Sequence, residues 1–191
     1  MRYVRTVPPD PEFQAVLGAA ASGDERALTA LYRSLHPRLL RYLRAIEPGD
    51  AEDIASEVWV GIIRGLGRFR GDRSDLFAWA FSIARRRALD LRRTRARRAT
   101  DPRPDDDLVA LSGWGDVERE AMDAVSTREA IAMVASLPAA QAEVVLLRVL
   151  GDLTVQEVAR IMARRPGTIR VLQHRALRRL AAIASRERVT R

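Results

Sequence analysis

Apolar side chains recur along this chain at helical spacing, and β-branched alternation of the kind a half-buried strand needs is missing. A short helix is predicted over 12–21, ended by Ser22 and Gly23. Asp24 opens the next helix, with Ala27, Leu28, Leu31, Tyr32 and Leu35 on one face. Pro37 either starts a further helix or kinks this one, carrying Leu39, Leu40, Leu43 and Ile46. Beyond the break at Pro48 and Gly49, Asp50 reads as the cap of a helix over 51–66. Its first turn is acidic (Glu52, Asp53), as the helix dipole favours. A loop over 67–72 precedes a long helix, capped by Ser74 and running over 75–97. Phe77, Ala80, Phe81, Ala84, Ala88 and Leu91 form its buried stripe.

Residues 99–115 break the pattern with Pro102, Pro104, Asp105, Asp106, Asp107, Gly113 and Gly115, a composition with little to pack, and the domain boundary is placed there. Helices are then predicted over 116–136 and 139–150, the second turning Val144, Val145, Leu147 and Leu150 inward. Thr154 and Glu157 form a capping box for a short helix over 155–163, with Val155, Val158, Ala159 and Met162 at core spacing. Arg164, Arg165, Pro166 and Gly167 read as a turn, and Thr168 as the cap of a last helix over 169–185. There Ile169, Leu172, Ala176, Leu180 and Ile183 make one stripe and leave Arg170, Val171, His174, Arg175 and Arg178 facing away. A short helix, a tight turn and a second helix with a cationic outer face have the layout of a helix-turn-helix, whose second helix reaches base edges in the major groove. The fold class is therefore all-α: two small helical domains joined by a flexible acidic linker, the C-terminal one a helix-turn-helix.

Charge sharpens this. The 191 residues carry a formal net charge of +8, and all 33 basic residues are arginine. Residues 64–98 hold twelve Arg against three acids, and residues 148–191 hold eleven against three, whereas residues 99–130 hold three Arg against nine acids. Two basic blocks separated by an acidic one suggest two separate polyanion contacts. The absence of cysteine excludes disulfides and thiolate metal sites, and two histidines, His36 and His174, are too few for a histidine-built one. No cofactor or metal is expected. No apolar run approaches the about 20 residues of a membrane span, and the first residues lack the apolar run of a signal peptide. The expected location is cytoplasmic.

Three runs in the C-terminal half, LPAAQAEVVLLR over 137–148, LTVQEVARIM over 153–162 and PGTIRVLQHRALRRL over 166–180, resemble region 4 of an extracytoplasmic-function (ECF) sigma factor. GDERALTALY over 23–32, DAEDIASEVW over 50–59 and FRGDRSDLFAWAFSIAR over 69–85 resemble sigma region 2, in order and at the family's spacing. The resemblance implies a tail and short helix over 1–22, region 2 over 23–98, a linker over 99–126 and region 4 over 127–185. It implies that Asp53, Glu57 and Trp59 face the clamp of core RNA polymerase. It further implies that Arg70, Asp72, Arg73, Ser74, Arg85, Arg86 and Arg92 hold the melted non-template strand of the −10 promoter element. Arg164, Arg165, Thr168, Arg170, Val171, His174, Arg175 and Arg178 would bind the −35 element as duplex. Trp79 matches a family tryptophan but lies next to the apolar stripe and is expected in the core. Ser56 stands where the family commonly has Gln, and Val171–Leu172 where it commonly has Ser-Arg. Promoter preference therefore cannot be copied from a relative.

The implied function is a non-enzymatic initiation factor whose partners are core RNA polymerase, promoter DNA and an anti-sigma factor, without membrane insertion. Its linker would let the two domains close together when inactive and spread on polymerase. The alternative is a stand-alone helix-turn-helix regulator binding duplex operator DNA. A DNA-processing enzyme would need a nucleophile with its base or clustered carboxylates. The one cluster, Asp105 to Asp107, falls in the linker.

Overall fold

The computed structural model describes residues 10–100 and 130–190, with side chains given to 97 in the first stretch and to 185 in the second. The tail ahead of Asp10 and the linker lie outside the described residues, as does most of the helix expected over 116–136. Every element described is an α-helix.

Helix α1 (Pro11–Ala21) starts where Asp10 accepts hydrogen bonds from the amides of Glu12 and Phe13, with Pro11 at the first helical position, where its missing N–H costs nothing. It stops at Gly23, whose φ of +90° suits a residue without Cβ. The amide of Asp24 there returns to the carbonyl of Ala19 at 3.0 Å. Asp24 then caps α2 (Glu25–Ile46) through the amide of Ala27 at 2.7 Å. Pro37 neither ends nor restarts this helix: α2 runs through it as one element. Leu31 and Leu35 before it and Leu39, Tyr42 and Leu43 after it are all buried on one stripe, and that burial outweighs the lost backbone hydrogen bond.

Helix α3 (Ala51–Leu66) has the expected limits but not the expected cap. The Asp50 side chain makes no capping bond; Arg95 of the next helix takes it instead, at 2.6 and 2.7 Å. The cap of α4 (Arg73–Thr100) also differs. Asp72 accepts from the amide of Asp75 at 2.9 Å while Asp75 accepts from the amide of Asp72 at 3.1 Å. A reciprocal pair of carboxylates satisfies two orphan amides where Ser74 would satisfy one, so the helix begins earlier and Ser74 is released for another contact.

The C-terminal half enters through the described end of α5 (130–135) and continues with α6 (Ala139–Leu150), α7 (Val155–Ile161) and α8 (Pro166–Thr190). The last turn lies two residues earlier than expected. It covers residues 162–165, with Pro166 and Gly167 already helical and the amides of Thr168 and Ile169 returning to the carbonyl of Arg165. Thr168 is thus inside the first turn rather than its cap. Proline is favoured at that opening position, which the earlier start exploits.

Helix α6 is buried on more than one face. Ala142 and Val145 pack with Leu137 and Ala176, closing the C-terminal unit on α8. Val144, Leu146 and Leu147 instead join the apolar cluster that fills the N-terminal unit. The two units are in contact, α6 against α2 and α7 against α4.

Candidate nucleic-acid and polymerase interfaces

Both halves of the capping box at the start of α7 are made: the Glu157 amide donates to Thr154 Oγ1 at 3.3 Å, and the Thr154 amide donates to Glu157 Oε2 at 2.5 Å. Val158, Met162 and Ile169 are buried between α7 and α8, fixing the angle between the two helices of the motif. Everything expected on the outer face is outside. Arg164, Arg165, Thr168, Arg170, Val171, His174, Arg175 and Arg178 are all exposed, and none of the five arginines makes an ion pair among the described residues. Among the described residues nothing neutralises this cationic surface. Arg160 and Gln156 of α7 line the same shallow depression as Arg164 and Arg165. Sequence reasoning missed Arg160, although it follows Gln156 by one helical turn on the side away from Val158 and Met162.

The seven residues expected to hold the −10 strand fall into distinct settings. Arg73 and Arg86 are exposed and without an ion pair among the described residues. Arg70 is exposed but folded back, with Nη1 donating to the carbonyls of Phe69 at 2.7 Å and Gly67 at 3.1 Å. Asp72 is the helix cap. Arg92 ties α4 to the end of α2, its guanidinium donating to the buried carboxylate of Glu47 and, at 2.6 Å, to the carbonyl of Ile46. Arg85 and Ser74 reach across to the C-terminal unit: Arg85 Nε donates to Glu143 Oε1 at 2.7 Å, and Ser74 Oγ to Glu157 Oε1 at 3.3 Å. Trp79, expected in the core, is only half-buried at its edge and stacks on Phe69, centroids 5.3 Å apart, at the foot of the loop.

On α3, Asp53 and Glu57 are exposed, and Glu57 lies 3.5 Å from Arg87 at the surface. Trp59 is half-buried beside Tyr32 and His36, which stack at 4.3 Å. Burial holds the His36 imidazole below its ordinary pKa, and the positive charge of Arg44 adds to this against an opposing effect of Glu52. Val60 and Ile63, exposed by 47% and 57%, continue the same helix. A contiguous group of large apolar side chains in solvent, unlike a single one, marks a candidate interaction surface. Tyr32, expected on the apolar face of α2, is 44% exposed, and Val60 and Ile63 were not singled out from the sequence. Their signal was faint: apolar residues beyond the width of the stripe that α3 needs for its own core.

Among the described residues, no group of three or more His, Asp or Glu is placed to hold a metal ion. No described helix is long and apolar enough to cross a membrane.

Known proteins share these features. Residues 31–98 match the family model for sigma-70 region 2, and residues 127–180 match that for sigma-70 region 4. The ECF RNA polymerase sigma factor ShbA of Streptomyces griseus is 35% identical over 186 residues, covering 89% of this chain and 94% of that one. The chain belongs to the ECF sigma factors. It is a factor that directs transcription initiation, and matching both regions at once disfavours a stand-alone helix-turn-helix regulator. Members of the family are DNA-binding initiation factors rather than enzymes. Two solved structures share the all-helical fold. CnrH, in complex with the cytosolic domain of CnrY, aligns with a TM-score of 0.59 at 19% identity, covering 91% of this chain and 97% of that one. The sigma factor RpoE of Bartonella quintana, in complex with the anti-sigma factor NepR, aligns with a TM-score of 0.54 at 19% identity, covering 92% and 95%.

Proposed function

We propose that this sigma factor divides promoter recognition between its two cationic faces. The outer face of α8 binds the −35 element as duplex: Thr168, Arg170, Val171, His174 and Arg175 address base edges from the N-terminal half of the helix. Arg164, Arg165 and Arg178 address flanking phosphates. The loop over 69–72 and the start of α4 hold the melted −10 strand, with Arg70, Arg73, Ser74, Arg85, Arg86 and Arg92 around it and Asp72 shaping the loop. Single-stranded DNA suits such a place, where cations track the backbone and aromatics lie close by. Asp53 and Glu57 steer α3 onto a basic surface of core polymerase, and Trp59, with Val60 and Ile63, supplies the apolar contact. The domains that do this are those implied by the sequence: region 2 over 23–98, a linker over 99–126 and region 4 over 127–185.

The observation that carries this reading is that every named residue of the cationic α8 face is exposed on one unit while Arg73 and Arg86 are exposed on the other. A single operator-binding domain has use for the first face only. Because RpoE of Bartonella quintana was solved with an anti-sigma factor, a protein inhibitor that withholds α3 from polymerase is part of the same proposal. So is action in the cytoplasm, where polymerase is.

Run-off transcription tests it. Purified protein is added to core polymerase from its own source on a genomic promoter library. The expected result is a set of transcripts that depend on the protein and share two conserved promoter elements. Tight duplex binding by the protein alone, with no protein-dependent transcript, would overturn it in favour of a stand-alone regulator.

A further inference from the structure

The loop over 69–72 contains one peptide plane that is held at both ends. The amide of Asp72 donates to Asp75 Oδ2 at 3.1 Å. The carbonyl of Gly71, on the other side of the same peptide bond, accepts from Gln14 Nε2 of α1 at 2.9 Å. Gly71 has no room for a side chain, since a Cβ there would stand 2.6 Å from the Cβ of Asp75. The rest of the loop is tied from within the α3–α4 hairpin. Arg70 donates to the carbonyls of Gly67 and Phe69, the amides of Arg68 and Phe69 return to Gly65 and Leu66, and Phe69 stacks on Trp79. The Gln14 bond differs in joining residues 57 positions apart. It comes from a helix that ends before residue 31, where the region 2 match begins.

Helix α1 is a firm base for this donor. Phe13, Leu17 and Ala20 are buried where it packs on α2 and α3, and the Asp10 cap fixes its first turn. Gln14 is half-buried at the edge of that packing, and its own amide returns to the carbonyl of Asp10 at 3.0 Å. A peptide plane next to glycine turns easily, because no Cβ restricts the dihedral angle on that side. Without its donor the part-buried Gly71 carbonyl is left unpaired, and the plane turns to bring it to water. Asp72 and Arg73 follow this plane directly, so its rotation re-aims both and disturbs the Asp72–Asp75 cap. A strand that meets a loop already in its bound shape loses no binding energy to ordering it.

We propose that Gln14 is a positioning residue for promoter melting: it presets the Gly71–Asp72 plane, so that the loop over 69–72 receives unpaired −10 bases without first rearranging. The proposal rests on the assignment of this loop and Arg73 to the −10 strand. It places the effect at one step. The rate of strand capture depends on Gln14, whereas core polymerase and −35 duplex meet other faces and bind independently of it. What the position requires is an N–H donor of sufficient reach.

Gln14→Met keeps the length of the side chain without its donor, and Gln14→Lys keeps a donor of similar reach. Hydrogen exchange of the free full-length protein, read by mass spectrometry, is expected to quicken over 69–76 in Gln14→Met and to stay unchanged over 51–64. In holoenzyme, a promoter recovered from the run-off library carries 2-aminopurine in its −10 element, whose fluorescence reports strand capture. Capture should slow roughly three- to tenfold in Gln14→Met, the scale of one hydrogen bond. Gln14→Lys should return both exchange and capture to the parent values. Binding of core polymerase and of −35 duplex should match the parent in each variant, which separates positioning from loss of fold. Capture at the parent rate in Gln14→Met overturns the proposal. So does slow capture without faster exchange over 69–76, and so does an equal loss in Gln14→Lys. Arg73→Ala, measured alongside, tests the reading beneath. If Arg73→Ala slows capture and Gln14→Met does not, the positioning role alone fails. If neither slows it, the −10 assignment of this loop fails as well.

Discussion

Trp59 Nε1 donates a hydrogen bond to Nδ1 of His36 across 3.2 Å, while Tyr32 stacks on the same imidazole. A nitrogen that accepts this bond carries no proton, so the arrangement requires neutral His36 with its hydrogen on Nε2. Burial and the positive charge of Arg44 both favour that form, against Glu52, and hold the pKa below its unfolded value. With the folded pKa depressed, the unfolded chain takes up a proton first as pH falls. The stabilisation is complete above the ordinary histidine range and is lost as pH drops through it toward the folded pKa. Urea denaturation at pH 7.5 and pH 5.5 is therefore expected to show lower stability at the acid end. In His36→Gln that dependence should be reduced. An equal pH effect in the variant would place its origin elsewhere.

Gly65 is where α3 lets Trp79 in. A Cβ at that position would stand 2.6 and 2.7 Å from two atoms of the indole ring, closer than carbon atoms approach. Gly65→Ala must therefore push Trp79 off Phe69. Overpacking of this kind costs about 1–3 kcal/mol, more than the roughly 1 kcal/mol that alanine adds to a helix. The variant is expected to unfold at lower urea. Because Phe69 opens the loop over 69–72, it should also lose −10-dependent transcription while keeping duplex binding.

The helices were legible because each buries a stripe at a period that composition cannot imitate. The limits of α3 and α6 and the capping box of Thr154 and Glu157 could be read directly. What could not be read was competition for side chains between elements distant in sequence. Asp50 is a good cap by type but Arg95 claims it, and Ser74 loses its capping role to the Asp72–Asp75 pair before turning to Glu157. The site divides along the same line. The cationic face of α8 depends only on helical periodicity and emerged whole. The face of α4 depends on which arginines the fold employs: Arg85 and Arg92 looked identical to Arg86 as letters, yet each has a buried or half-buried carboxylate partner supplied by a remote helix turn.

The turn between α7 and α8 holds Ala163 at φ +52°, in the left-handed region. An L-residue with Cβ is strained there by about 1–2 kcal/mol, whereas glycine is not. Part of the gain is returned as glycine's greater freedom in the unfolded chain, about 0.5–1 kcal/mol. Ala163→Gly is thus expected to stabilise the protein by about 0.5–1 kcal/mol, seen as a higher urea midpoint with unchanged slope. A lower midpoint would mean that the turn relies on the alanine methyl for packing.

Position along α8 separates two kinds of arginine. Arg170 lies in the first turns, where a recognition helix meets base edges, and Arg178 lies two turns further on. In polymerase holoenzyme, Arg170→Ala is expected to relax selection at one or two −35 positions, at a cost of about 1–3 kcal/mol for the preferred base. Arg178→Ala should weaken all sequences alike and reduce the salt dependence of binding by roughly one counterion. Promoter selection from a randomised −35 library, repeated at two salt concentrations, distinguishes them. Identical profiles for the two variants would remove the distinction.

Arg86 and Arg92 stand six residues apart on α4 and differ in what else holds them. Arg86 is exposed without an ion pair among the described residues, whereas Arg92 binds Glu47, a carboxylate only 7% exposed at the end of α2. Removing Arg92 leaves that carboxylate to Arg95 alone, 3.7 Å away and more weakly placed. Loss of a charge-assisted hydrogen bond on this scale costs about 1.5–3 kcal/mol, and less here because the guanidinium is itself half exposed. Arg92→Ala should therefore lower the unfolding midpoint and −10-dependent transcription together. Arg86→Ala should lower transcription with stability unchanged to within about 0.5 kcal/mol. Restoring the stability of Arg92→Ala with Ala163→Gly then decides whether Arg92 also touches DNA. Transcription that returns with stability marks Arg92 as a strut between α2 and α4. Transcription that stays low in the restabilised protein marks it as a strand contact as well.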